Sequence, residues 1–169
     1  MSGMRRAARL TAFVLLAALT GCATIDPADR EPPPAAAPPD VIASEVALLA
    51  LGQLGVPYRY GGSSPVQGFD CSGLVQYVYR EATGVRLPRT VEELASAGIH
   101  VAQHELQPGD LVFYDTLGRP YSHVGIYLGE QKFVHAPSSK GVVRVEDMRQ
   151  PYWRKRYTGA RRVAVNDGP

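Results

Sequence analysis

At QPGD, residues 107–110, the hydrophobic rhythm of this 169-residue chain changes, and that change sets the fold class. Upstream, apolar residues return with a helical period. In VIASEVALLALGQLG they fall at Ile42, Val46 and Leu49 and at Ala47, Ala50 and Leu54, and Gly55 with Pro57 supplies a stop. DCSGLVQYVYREATG repeats the pattern. Asp70 suits an N-cap, Leu74, Val75, Val78 and Tyr79 form one stripe, and Gly84 suits the C′ position. A shorter helix opens at TVEE, where Thr90 and Glu93 match a capping box, and closes at Gly98. Downstream, LVFY (111–114), HVGIYLG (123–129), KFVHA (132–136), GVVRV (141–145) and ARRVAV (160–165) read as strands. They are short, rich in Val and aromatics, and bounded by Gly, Pro or Ser. Helices first and strands afterwards specify an α+β domain, its N-terminal helices packed on a mostly antiparallel sheet of five to six strands.

Only two cysteines are present, Cys22 and Cys71. They exclude a disulfide-dense scaffold and a four-thiolate zinc site, and leave a single bridge arithmetically open. The N-terminus bears on that bridge. Arg5, Arg6 and Arg9 precede the apolar run LTAFVLLAAL (10–19), the pattern of a secretory signal and too short to span a bilayer as a mature helix. The run ends in LTGC, which resembles the lipobox of bacterial lipoproteins. That resemblance implies cleavage before Cys22 and a lipid on its sulfur, and so no bridge to Cys71. Residues 26–40, DPADREPPPAAAPPD, read as an extended tether. The expected organisation is a signal over 1–21, a lipidated cysteine and tether over 22–40, one domain over 41–165, and a tail over 166–169. Loss of residues 1–21 leaves 15 basic against 16 acidic residues, so the +2 of the full chain belongs to the signal. Nucleic acid is therefore not an expected partner.

Cys71 stands one residue after the N-cap Asp70. There the unpaired amides and dipole of a helix favour an anion and lower a thiol pKa towards a reactive range. A nucleophilic cysteine needs a base and a group that orients the base. His123 and His135, at or near strand ends, are the candidates. A three-residue loop over 129–131 pairs Leu128 with Lys132 and sets the histidines diagonally on one face. A two-residue loop puts them on opposite faces unless a bulge intervenes. Each has a plainer reading, Cys71 as a small buried hydrophobe and the histidines as hydrogen-bonded structural residues. His100 and His104 carry no pattern and are left with that reading. A zinc site from Cys71, His123 and His135 remains conceivable, although no short-spaced ligand pair exists.

The run GVPYRYGGSSPVQGFDCSGLVQYVY, followed by LPRT, LQPGDLVFY, HVGIYLG and FVHA, resembles the NlpC family of papain-like peptidoglycan peptidases. The match is collinear over residues 43–163, and the tail PYWRKRYTGARRV resembles lipoprotein members of the murein endopeptidase S (Spr) type. The resemblance implies a papain-like fold and a cysteine peptidase, with Cys71 as nucleophile, His123 as general base and His135 as the orienting residue. Tyr58, which opens YRYGG, corresponds to a tyrosine over the family's active site that assists the oxyanion. Arg59, Asp70, Ser72, Gly73, Arg89 and Ser122, close to these positions or basic, are the expected substrate contacts. No metal or organic cofactor is implied. The expected partner is peptidoglycan, cut at D-alanyl–diaminopimelate or γ-D-glutamyl–diaminopimelate bonds. A catalytically weak wall-binding lipoprotein and an acyltransferase are the competing readings. A monomer tethered to the membrane by its N-terminal lipid is expected, in the outer membrane facing the periplasm, since Ala23 and not Asp follows Cys22.

Overall fold

Three helices form at the predicted places in the computed structural model, which describes residues 38–138 and 141–165, the third ending at Leu94, short of Gly98. The signal, Cys22, most of the tether and the tail lie outside the described residues. Helix α1 spans Pro39–Leu51, α2 Cys71–Thr83 and α3 Val91–Leu94. The first ends short of Leu54, because Gln53 and Leu54 bond back to Ala50 and Leu51 in a tightened turn and Gly55 then reverses the chain at φ 85°. The second matches its caps in full. The Asp70 carboxylate accepts from the Gly73 amide, and Gly84 closes the helix in the left-handed region at φ 72°. Thr90 and Glu93 form the reciprocal capping box of α3.

The strands are β1 (Ser63–Ser64), β2 (Gly68–Phe69), β3 (Ile99–His100), β4 (Leu111–Tyr114), β5 (His123–Gly129), β6 (Lys132–His135), β7 (Arg144–Asp147) and β8 (Tyr157–Arg162). The first two make a small hairpin, and the rest form an antiparallel sheet in the order β3-β8-β4-β5-β6-β7. Two strands are displaced from the predicted blocks. β7 starts at Arg144, after an isolated bridge between Pro57 and Val142, and β8 starts at Tyr157. Helix α4, Pro151–Arg156, precedes β8 without a break; Pro151 at its start and the buried Trp153 are its sequence marks.

The sheet separates two cores because side chains alternate across it. Leu111, Phe113, Val124, Ile126 and Val134 meet α1 and α2 through Val46, Ala50, Leu74, Val75 and Val78. On the other face Val112, Tyr114, Tyr127, Phe133 and Ala160 meet Trp153 of α4. Tyr79 donates to the Gly109 carbonyl at 2.6 Å, tying α2 to the turn where the sequence pattern changes. Asp110 in that turn is buried and accepts two bonds from Arg162 at 2.7 and 2.8 Å. Arg162 thus supplies the ion-pair partner of the buried Asp110.

Candidate active site

The β5–β6 connection decides whether the histidines meet. The loop is the two-residue turn Glu130–Gln131, both at positive φ (51° and 61°), with Gly129 paired to Lys132. That loop alone would set His123 and His135 on opposite faces. The register, however, shifts between Tyr127 and Gly129, so Leu128 is an extra residue on β5. The bulge restores the common face, and His123 Nε2 lies 2.7 Å from His135 Nδ1 with the rings nearly perpendicular. Of the two loops that the sequence leaves open, the structure has the two-residue turn with a bulge, and the histidines meet on one face.

Both imidazoles are buried, at 4% and 0% exposure. Burial holds His123 neutral, its pKa lowered to about 4. Burial, with the neighbouring His123 and Arg144, lowers His135 to about 2. In the tautomer that makes His123 a base, Nε2–H donates to His135 Nδ1 and leaves His123 Nδ1 free to accept. His135 then carries its proton on Nε2, which is buried without a partner. Trp153 packs on the pair, its ring 5.0 Å from His135 and 6.0 Å from His123. The sequence reading did not single out Trp153; its being the only tryptophan in the chain was the available signal.

Cys71 is the first residue of α2, half-buried and a free thiol. The amides of Val124, Ser72 and Cys71 itself turn towards the sulfur and favour its anion. Val124 follows His123 in sequence, so Cys71 meets β5 beside His123. Burial and the Asp70 carboxylate nonetheless outweigh the amides and push the thiol up to about 11. The lowered thiol pKa expected at a helix N-terminus is thus not what the free protein shows. Desolvation costs the thiolate more than the three amides return.

Tyr58 is half-buried beside Cys71 and Asp70. Its amide donates to the Gly141 carbonyl at 2.8 Å, and the chain on either side is clamped to Phe69. Burial, with the neighbouring Cys71 and Asp70, raises its pKa and keeps the phenol a proton donor. The expected substrate contacts divide. Asp70 is occupied internally, capping Gly73, accepting from the Gly61 amide, and taking two bonds from Arg89 at 2.6 and 2.9 Å. Ser72 accepts from the same guanidinium at 2.7 Å. Gly73 is buried against the Gly62 carbonyl. Ser122 accepts from the amides of Thr116 and Leu117, shaping the loop before His123. Arg59 is exposed next to Tyr58. Of the other basic residues, Arg119 pairs with Glu92, and Arg156 stacks on Tyr152 at 3.9 Å. Among the described residues no cluster of three His, Cys, Asp or Glu is placed to hold a metal ion.

The NlpC/P60 family model matches residues 55–162. The chain is 49% identical over 109 residues to the murein DD-endopeptidase MepS/murein LD-carboxypeptidase of Escherichia coli, covering 64% of this chain and 56% of that protein. It is 44% identical over 110 residues to the gamma-DL-glutamyl hydrolase of Bacillus subtilis, covering 64% of this chain and 26% of the hydrolase. The chain thus spans about half of the first relative and a quarter of the second. Among solved structures, a lipoprotein-like NLP/P60 protein of Staphylococcus aureus superposes with a TM-score of 0.65 at 38% identity, covering 75% of this chain and 43% of its own. The family model covers more than half of the chain and includes Tyr58, Cys71, His123 and His135. This chain belongs to the NlpC/P60 family.

Proposed function

We propose that the domain is a cysteine endopeptidase that hydrolyses amide bonds in the stem and cross-link peptides of peptidoglycan, with D-alanyl–diaminopimelate as the favoured bond. The single observation that carries the reading is the geometry of Cys71. Its sulfur meets the Val124 amide beside His123, and His123 is held by His135 at 2.7 Å.

The neutral resting pair implies general-base catalysis. As the sulfur attacks the amide carbonyl, its proton passes to His123 Nδ1 and the carbonyl electrons move to oxygen. The Cys71 amide, unpaired within α2, and the Tyr58 hydroxyl stabilise that oxyanion. His135 accepts from His123 Nε2–H and steadies the imidazolium while it exists. The tetrahedral intermediate collapses to a thioester as the C–N bond breaks, and the proton on His123 passes to the leaving amine. Water, deprotonated by His123, then releases the acid and restores the thiol.

The test is mass spectrometry of muropeptides after digestion of purified sacculi. The protein should release cross-link cleavage products, while Cys71→Ala and His123→Ala fold normally and release none. Activity in Cys71→Ala at the wild-type level overturns the reading. Cleavage between D-glutamate and diaminopimelate would instead favour the second reading, which the Bacillus subtilis relative supports. The catalytically weak wall-binding alternative predicts binding to sacculi with no products at all.

The LTGC motif and the Pro-rich run after it support a lipid anchor at Cys22, holding the domain as a monomer in the periplasm from the outer membrane. Palmitate labelling lost in Cys22→Ser is the expected result, and an unlabelled wild type refutes the anchor.

A further inference from the structure

A cavity of about 420 Å³ opens beside the histidine pair, walled by Arg144, Glu146, Gln150, Tyr152 and Trp153, with His123 and His135 at its end. Cys71 and Tyr58 do not line it. His123 thus lines this cavity, while Val124, the next residue on β5, meets the sulfur of Cys71. The general acid protonates the departing nitrogen, so the half of the substrate that leaves must lie on the His123 side.

The cavity has the chemistry for one feature of that half. Arg144 faces His135 across the β6–β7 ladder, so the two side chains share a face. Its Nε donates to Glu146 Oε1 at 2.7 Å, which orients the guanidinium. Among the described residues neither terminal nitrogen, Nη1 or Nη2, has an acceptor, and the side chain remains 44% exposed. Glu146 is braced in turn by Gln150, which donates to its second oxygen at 3.2 Å. A positioned guanidinium with two free N–H edges presents the fork that matches a carboxylate.

On these grounds, and resting on the peptidase reading above, we propose that this cavity is the subsite for the leaving-amine half of the cross-link, with Arg144 pairing to the carboxylate of the amino acid whose nitrogen is released. Arg144 is then a specificity-determining residue: it selects bonds whose departing amine carries a free acid on the neighbouring carbon.

The test uses two synthetic cross-linked peptides that differ only in that carboxylate, free in one and amidated in the other. The wild type should prefer the free acid by about 10- to 100-fold in kcat/KM, the range of a charge-assisted pair. Arg144→Gln should lose that preference, chiefly through KM, and Arg144→Lys should recover part of it. Equal losses on both peptides would assign Arg144 to the electrostatics of His135 and overturn the subsite, as would an unchanged preference in Arg144→Gln. If the wild type cuts neither peptide, the peptidase reading itself fails and the subsite falls with it. Cys71-dependent cleavage without discrimination sinks the subsite alone.

Discussion

Replacing Gly73 by alanine reverses the usual sign of a glycine-to-alanine change inside a helix. Propensity alone favours alanine by about 0.5–1 kcal/mol. Here a Cβ on Gly73 falls 2.0 Å from the Gly62 carbonyl oxygen and 3.0 Å from Asp70 Oδ1. Relief requires a separation of about 1 Å between two packed backbones. The Gly62 carbonyl is pinned, since it accepts from the Asp70 amide at 3.1 Å. Gly62 is hemmed in as well, because a Cβ there would fall 2.3 Å from the Gly68 carbonyl oxygen. Overpacking costs about 1–3 kcal/mol, and weakening the Asp70–Gly62 bond adds about 1 kcal/mol. Against the propensity gain, Gly73→Ala should destabilise the domain by about 1–3 kcal/mol and lower Tm by about 4–10 °C. Turnover should fall too, because the displaced loop carries Tyr58. Thermal melts by circular dichroism measure the first effect and muropeptide release the second. A variant as stable as the wild type, or more so, would show that the close approach of α2 to the YRYGG loop does not hold.

The buried imidazoles make stability depend on pH. His123 at about 4 and His135 at about 2 refuse protons that the unfolded chain takes up below about 6.5, so stability is full above that pH and drains as the pH falls towards 4. His123 alone accounts for about 3 kcal/mol by pH 4, and urea unfolding that is flat between pH 7 and 4 refutes this. The thiol pushed up to about 11 leaves about one thiolate in 10⁴ at pH 7, so Cys71 alkylation by iodoacetamide should rise about tenfold per pH unit from 6 to 9. A rate that levels off in that range would reveal a thiolate–imidazolium pair in the free protein.

Local signals were legible wherever a short stretch of chain satisfies itself. Asp70, Gly84 and the Thr90–Glu93 box each act within four residues, and α2 and α3 begin at these caps. The Val- and aromatic-rich runs LVFY and HVGIYLG likewise placed β4 and β5. Elements stabilised by distant partners were not legible. The β1–β2 hairpin, β3 and α4 are short and lack a period of their own; α4 exists because Trp153 closes the second core over Tyr114 and Phe133.

For the site, the residue types and the helix start singled out Cys71 as the candidate nucleophile, and strand ends singled out the candidate histidines. Their meeting depended on one extra residue at Leu128, and no local preference distinguishes a bulge from a longer loop. The protonation states came from tertiary structure alone. A helix N-terminus read in one dimension predicts a lowered thiol pKa, whereas the packed domain removes water from the same sulfur and raises it. Sequence carries the identity of charges and donors. Desolvation depends on which surfaces close over them, and that is decided only when residues far apart in the chain come together.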